Sequence, residues 1–300
     1  MYHNIVNDSA PVGHDLQGIT VRERVFKWQL KILNIFFNII PLQDYIAKTK
    51  KGKKNSLNTI SITIDDGTWQ TYQNGSKIWN KLNVPVTIFV NTCHLDDGPL
   101  IWGSYLNALC FENLYDTILV ENHTYELKSI NDKFETKKKL HTLSLEAESQ
   151  DSFFNDLNLK YPIKSEIKSY YSGMSSKQLQ DASNNLLVTI GAHTHTHPSL
   201  DVLSAEDQAN EIKMSKIILE KKIGKPITDF AYPSGFYNRK TIAILKKMQF
   251  TSACAVVPKY LEKDFKQYEL PRLGIYRKDK LGFILVIIRG MIKNRLRYVY

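Results

Sequence analysis

Short runs rich in β-branched residues recur along this chain, each ending at a polar turn and followed by a helix-forming stretch. Thr59–Ile64 (TISITI) stops at Asp65-Asp66-Gly67, and Val86–Val90 (VTIFV), Leu186–Ile190 (LLVTI), Thr228–Tyr232 and Ser252–Val256 repeat the pattern. Between them the sequence predicts helices near Gly75–Leu82 and over Ser175–Ser183 and Arg239–Met248. A further helix runs from the capping-box pair Ser204 and Asp207 to Gly224, a favourable C′ residue. Strands alternating with helices build a parallel sheet or an α/β barrel, and reactive residues then gather at the carboxyl ends of the strands. Upstream, Thr20 and Glu23 have capping-box spacing, and Phe26, Leu30, Leu33 and Phe37 mark one face of an amphipathic helix. Residues from about 94 to 173 break the alternation, being polar, lysine- and serine-rich and weakly periodic, and are read as a long insertion or lid.

Composition narrows the function classes. With 300 residues, 43% of them hydrophobic, the chain can bury a full core, which excludes a disordered protein. Lys plus Arg outnumber Asp plus Glu by 40 to 30, so a charged partner is expected to be anionic. No nucleic-acid-binding module is recognisable, and none of GxGxxG, GxxxxGK[ST] or GxSxG occurs. Cys93, Cys110 and Cys254 form no CxxC pair, which favours a reducing compartment over a disulfide framework. Met1–Ala10 has no basic patch followed by an apolar core, and no apolar run approaches the ~20 residues that cross a bilayer, so a cytoplasmic location is expected. Leu281–Ile288 is apolar and is followed by Arg289, Lys293, Arg295 and Arg297. This segment reads as a last core element with a solvated basic end, or as a peripheral contact with an anionic membrane surface at its inner face.

Two strand ends carry groups with chemistry. Asp65 and Asp66 are adjacent carboxylates that repel each other unless one meets a cation, and Gly67 permits the tight turn after them. Asp96-Asp97-Gly98 has the same composition without a strand directly before it, and reads as a plain turn. His193, His195 and His197, three of the eight histidines, follow the strand LLVTI, and imidazoles at that density point to metal ligation. On a continuing strand His193 and His195 share a face ~6.6 Å apart, while His193 and His197 are ~13 Å apart. In a curled loop the second pair converges instead, so spacing leaves both ligand pairs open. A carboxylate, two imidazoles and an open position make a catalytic rather than a structural zinc site.

TIDDG, HTHTHPSL, FAYPSGFYN and LPRLGI, in that order, resemble the motifs of polysaccharide deacetylases, carbohydrate esterase family 4. Met1-Tyr2-His3-Asn4-Ile5 and the helix containing FKWQLKIL resemble the start of its circularly permuted subgroup, which includes biofilm poly-N-acetylglucosamine deacetylases. The resemblance implies an irregular (β/α) barrel over residues 1–280 with the insertion at about 94–173, followed by the segment 281–300. It also implies one divalent metal ion, with zinc the leading candidate, and hydrolysis of the N-acetyl amide of an amino sugar in a surface polysaccharide or a lipid-linked glycan precursor. Residue by residue, it makes Asp65 the general base, Asp66, His193 and His197 the metal ligands, and His3 the acid that protonates the leaving amine. His195 is then a neighbour. The segment Tyr232, Pro233, Ser234 and Gly235 becomes the loop that supplies an oxyanion donor and meets substrate. Two residues depart from the commoner pattern: Ala231 stands where an arginine orients the base, and Ser234 replaces an aromatic side chain. Arg272 in LPRLGI is the candidate to supply the missing cation. A glycan-binding protein on the same fold that has lost turnover is the competing expectation.

Overall fold

Five parallel strands carry the architecture: β1 (Ile62–Ile64), β2 (Val86–Val90), β3 (Val188–Ala192), β4 (Asp229–Ala231) and β5 (Ser252–Cys254), in the order β5-β4-β3-β2-β1. The computed structural model describes residues 1–257 apart from Val12, Gln17 and 51–58, together with residues 265–275 and Phe283, Ile284 and Ile287. All of β1, β2, β4 and β5 is buried. This is the condition of a parallel sheet covered on both faces, and the polar residues Asp229 and Ser252 that it buries are paired with each other. One face, with Ile62, Ile64, Val86, Ile88, Val90 and Phe230, packs beneath the helices through Ile78, Trp79, Leu179, Ile212, Leu219 and Leu245. The opposite face turns inward, where Phe89, Ala231 and Cys254 meet Leu270 and the Leu42 and Ile46 side chains of the helix Leu42–Lys50.

The sheet curls, and two short segments bridge its edges. Tyr2 forms a parallel bridge to Ile64 beside β1, and Leu270 forms one to Cys254 beside β5. The two segments are joined in turn: Met1 N donates to Leu273 O at 2.9 Å, and Ile275 N donates to Met1 O at 3.0 Å. His3 and Arg272, distant in sequence, thereby reach the mouth of the same curled sheet. The expected α/β barrel architecture is observed.

Two local expectations are corrected. TISITI is not one strand, because Thr59–Ile60 pairs with Asn38–Ile39 while β1 pairs with β2. The break is at Ser61, whose Oγ donates to Ile40 O at 2.8 Å. Thr20 does not cap a helix either: Thr20–Arg22 is a strand parallel to Asn4–Val6, and α1 (Glu23–Phe36) begins behind Arg22 with no side-chain cap. Arg22 is held by Asp15 and by the carbonyls of Asp8 and Ala10, a tertiary pairing that overrides the local capping signal. The other helices follow the pattern, α6 (Ser176–Asn184), α7 (Ala205–Ile223) and α8 (Arg239–Lys247) closely, while α2 (Trp69–Leu82) begins six residues before the expected Gly75. Ser204 caps α7 and Gly224 ends it at φ +68.

The stretch from about 94 to 173 is folded around a core of its own. It contains α3 (Trp102–Phe111), an antiparallel hairpin (Thr117–Val120 with His123–Glu126), α4 (Ile130–Glu146) and α5 (Gln150–Lys160). Leu106, Leu109, Phe111, Leu140, Phe154 and Tyr171 are buried together there. Asp96 and Asp97 form a left-handed turn, as expected of that site, and Asp96 is tied to Lys222 and to Ser176. No helix among the described residues is long and apolar enough to cross a membrane. Of the C-terminal segment, Phe283 and Ile287 are buried in the main core, while the basic residues from Arg289 onward lie outside the described residues.

Gly191 lies where the interior is tightest. A Cβ there would come 2.5 Å from Phe89 Cδ1 and 3.0 Å from Asp229 O. Gly191→Ala is therefore expected to lower stability by about 1–3 kcal/mol through overpacking. In urea unfolding this appears as a lower midpoint with an unchanged slope.

Candidate active site

The turn after β1 sets the two carboxylates in different directions. Asp65 continues the inward alternation of Thr63, and its N–H donates to Tyr2 O at 3.0 Å. Asp66 then takes φ +71 and Gly67 φ +67, which reverses the chain. A left-handed conformation disfavours a residue with a Cβ, and His94 offsets that cost by donating from Nε2 to Asp66 O at 2.8 Å. His94 is buried, which pushes it down to about 4 and keeps it neutral.

Arg272 forms a fork on Asp65, with Nη1 to Oδ1 at 2.6 Å and Nη2 to Oδ2 at 2.8 Å, and its Nε donates to Ala255 O at 3.1 Å. The guanidinium lies 5.5 Å from the centroid of the Phe89 ring. Burial by itself would push Asp65 up, but the Arg272 charge and hydrogen bonds override it and hold the carboxyl well below the usual carboxylate range. Arg272 thus brings a guanidinium to Asp65 from the segment beside β5, the cation sought in place of one at Ala231. His3 Nε2 lies 4.0 Å from Asp65 Oδ2. Burial, with contributions from Arg272 and His193, pushes His3 from 6.5 down to about 4 against the pull of Asp65, so His3 is neutral in the free site.

Asp66, His193 and His197 converge, with one ligand atom from each lying within 4.8 Å of the others. Asp66 Oδ1 is 3.6 Å from Nε2 of both histidines. His193 donates from Nδ1 to Ala231 O at 2.7 Å, which fixes the tautomer and leaves the Nε2 lone pair directed at Asp66. Spacing alone left the second histidine open, and the backbone resolves it. Thr194 and His197 adopt φ +66 and +67, so the chain curls and the i, i+4 imidazoles face each other with ring centroids 5.0 Å apart. His195 leaves the cluster and pairs with Thr92 Oγ1 at 2.8 Å.

This curl is held by Glu211 on α7, a residue the sequence did not single out. Its carboxylate accepts from the N–H groups of His195 and Thr196 at 2.8 and 2.9 Å and from Thr196 Oγ1 at 2.9 Å. Trp102 of α3 adds a tether by donating from Nε1 to His197 O at 2.8 Å. The only advance sign of Glu211 is its place on the α7 face that buries Gln208, Ile212 and Ser215.

The donor set suits a divalent cation. Asp66 Oδ1 is buried without a hydrogen-bond partner among the described residues. Its burial, reinforced by the Asp65 charge, pushes it up to about 7. Both histidines are pushed down from their ordinary value by burial, and so present unprotonated nitrogens.

Ser234 stands over the same cleft at φ +53, with Gly235 at φ +81. The turn is closed by Gly235 N to Tyr232 O at 2.9 Å and by Phe236 N to Pro233 O at 3.1 Å, so neither bond uses the Ser234 amide. Tyr232 is a correction to the expected substrate loop. Because Ala231 points inward, Tyr232 points outward: its ring stacks on Tyr237 at 4.2 Å, its hydroxyl donates to Tyr268 O at 2.8 Å, and its N–H donates to Cys254 O at 3.0 Å. Pro233 is likewise buried, so Ser234 and not Tyr232 or Pro233 offers a side chain to the cleft. That cleft has a volume of about 580 Å³. His3, Asp65, Asp66, His193 and His197 line its floor, and Trp102, Asn107, Phe134, Lys137, Lys138 and His141 of the insertion line one wall. The insertion's contribution was not read from the sequence.

Residues 153–253 match the family model for polysaccharide deacetylase, a span that takes in the histidine cluster and the FAYPSG segment. No curated protein sequence matches the chain. Among solved structures the chain is similar to the Streptococcus pyogenes deacetylase PplD in complex with acetate, at 16% identity and a TM-score of 0.60 over 91% of this chain and 89% of that one. It is also similar to IcaB from Ammonifex degensii, at 14% identity and a TM-score of 0.60 over 97% and 96% of the two chains. A de-N-acetylase from Aggregatibacter actinomycetemcomitans gives 15% identity and a TM-score of 0.56 over 95% and 96%. At these identities the likeness to the solved structures is one of fold, and the family model supports the motif resemblance over the part of the chain it matches, residues 153–253.

Two measurements probe the site directly. Glu211→Gln is expected to weaken zinc affinity about 10- to 100-fold by loosening the loop that carries His197, as read by calorimetric titration. The second concerns metal-free protein. A carboxyl raised from its ordinary 3.8 to about 7 binds its proton more tightly when folded, so its contribution to stability is present below the lower value and is lost as pH rises through the window. The stability of wild type relative to Asp66→Asn is therefore expected to fall between about pH 4 and pH 7 in chelator, in urea unfolding, and zinc is expected to reverse the loss in wild type only.

Proposed function

We propose, for a chain whose residues 153–253 match the polysaccharide deacetylase model, metal-dependent hydrolysis of the N-acetyl amide of an amino sugar, in a surface polysaccharide or a lipid-linked glycan precursor, with release of acetate. The observation that carries this reading is the convergence of Asp66, His193 and His197 beside an ionised Asp65 at the floor of an open cleft. The acetate in the PplD complex is the product such a reaction would release. Asp66, His193 and His197 would hold the cation, with zinc the first candidate because two imidazoles and a carboxylate suit it. When bound, a divalent ion polarises a carbonyl and lowers the pKa of a coordinated water toward ~7.

The remaining steps belong to the chain. Asp65, kept ionised by Arg272, accepts a hydrogen bond from the attacking water and takes its proton. Its depressed basicity makes it a temporary holder. His3, neutral in the free site and 4.0 Å away, is the group to which that charge can be relayed and from which the leaving nitrogen receives its proton. The Ser234 amide, unused by its own turn, is an oxyanion donor in this scheme. A cleft open to one side fits a polymer or a large lipid-linked glycan better than a free monosaccharide.

Asp65→Asn is expected to reduce acetate release from N-acetylhexosamine oligomers about 10²- to 10⁴-fold while the protein still retains zinc on elemental analysis. Undiminished turnover in this variant contradicts the assignment. Tight glycan binding without acetate release in wild type supports the binding-protein alternative.

A further inference from the structure

The wall of the cleft opposite the carboxylates is basic, and nothing in the deacetylation scheme uses it. Lys137, Lys138 and His141 of α4 line the same 580 Å³ space as Asp65 and Asp66. Residues 137, 138 and 141 fall on one side of a helix by i, i+4 and i, i+3 spacing. Lys137 is half-buried. Its Nζ donates to Asn107 Oδ1 at 2.6 Å and lies 5.8 Å from the centroid of the Phe111 ring. An ammonium has three donors, so the Asn107 contact leaves two. Among the described residues neither Lys137 nor Lys138 has a carboxylate within 4.0 Å, although Lys128, Lys216 and Lys266 do. Withdrawing a cation from water without a counter-charge is unfavourable, and a ligand that brings an anion removes the penalty.

The neighbouring groups fix where that anion would lie. His141 stacks on Trp102 at 4.4 Å and 9°, and Trp102 in turn lies 5.9 Å from the His197 ring and is bonded to the His197 carbonyl. The basic cluster is therefore one indole beyond the candidate metal ligands, along a continuous surface. His141 Nε2 is buried with no partner among the described residues. Asp65 is already paired with Arg272, and a cation at Asp66 would neutralise the other carboxylate, so nothing at the floor would repel an acidic glycan.

We propose that Lys137, Lys138 and His141 form a subsite for an acidic group, a carboxylate or a phosphate, carried by the substrate glycan close to the sugar whose acetamide is cleaved. This inference rests on the deacetylase reading and narrows it to acidic glycans. Lys137, seated on Asn107, fixes the position of the acidic group, and Lys138 and His141 close on it from the adjoining turns of α4.

The test compares three N-acetylglucosamine oligosaccharides matched in length: one neutral, one with a uronic-acid carboxylate, and one with a phosphodiester. With zinc-loaded wild type, kcat/KM for acetate release is expected to favour an acidic substrate by about tenfold at low salt, with the gap narrowing at high ionic strength. The better of the two acidic arms identifies the anion. The double variant K137Q/K138Q is expected to bring the preference below about twofold, mainly through KM, while K137R/K138R retains it. K138Q alone, at an exposed position, is expected to lose part of the preference without a folding penalty. Equal turnover of neutral and acidic substrates by wild type, or a preference that survives K137Q/K138Q, overturns the subsite and leaves the deacetylase reading standing. If no substrate releases acetate, the deacetylase reading fails, and calorimetric binding of the same oligosaccharides decides the subsite. Tighter binding of an acidic one, abolished in K137Q/K138Q, upholds it, and equal binding refutes it.

Discussion

Among the described residues, two adjacent buried carboxylates share one guanidinium, that of Arg272, and the organisation of the site follows from that imbalance. Arg272 forks onto Asp65 and takes a charge that is 2% exposed out of competition. Asp66, 6% exposed, has no such partner on Oδ1, and its nearest polar neighbours are two imidazole nitrogens that burial keeps unprotonated. A buried anion surrounded by lone pairs is stable only when protonated or when an added cation sits among them. The imbalance is thus the physical basis for expecting an ion. It also separates the two carboxylates physically, one ion-paired and the other without a hydrogen-bond partner on Oδ1, which is the division that the proposed base and ligand roles require.

Positioning these groups depends on how the curled sheet is bridged. The parallel contacts of Tyr2 with Ile64 and of Leu270 with Cys254 carry His3 and Arg272 to the carboxylate from opposite edges. Met1 is hydrogen bonded to Leu273 and Ile275 between them. On the other flank, the insertion brings Trp102 against the carbonyl of His197, so the wall of the cleft and the geometry of a ligand are mechanically joined. Glu211 anchors the same loop from α7. Catalytic precision in such a site comes from these supporting contacts as much as from the groups that touch the substrate.

What the sequence made legible follows from how local each signal is. The strand end at Ile64 before DDG, and a strand leading into HTHTH, were readable because β-branched runs and polar turns are local patterns, although the second strand runs to Ala192 and not Ile190. The choice between His195 and His197 was not, because it depends on left-handed φ at Thr194 and His197 imposed by a carboxylate on another helix. The motif placed Tyr232 in the same loop as Ser234 without saying where its side chain goes; with Ala231 inward, alternation sends the Tyr232 ring into the outer core. His3 carries no local signal, and only the likeness of the chain's opening residues to the permuted subgroup brought it forward. The wall formed by Trp102, Lys137 and His141 escaped notice because α4 buries few apolar residues, so its periodicity is weak and its lysines read as a solvated face.

The central claim is that Asp66, His193 and His197 close around one ion. The most direct test is anomalous diffraction from crystals of the protein soaked in zinc. A single peak bonded to an Asp66 carboxylate oxygen and to Nε2 of His193 and His197, with a further coordination position facing the cleft, is the predicted result. A peak that recruits His195 in place of His197, or no peak between these three side chains at saturating zinc, contradicts the account.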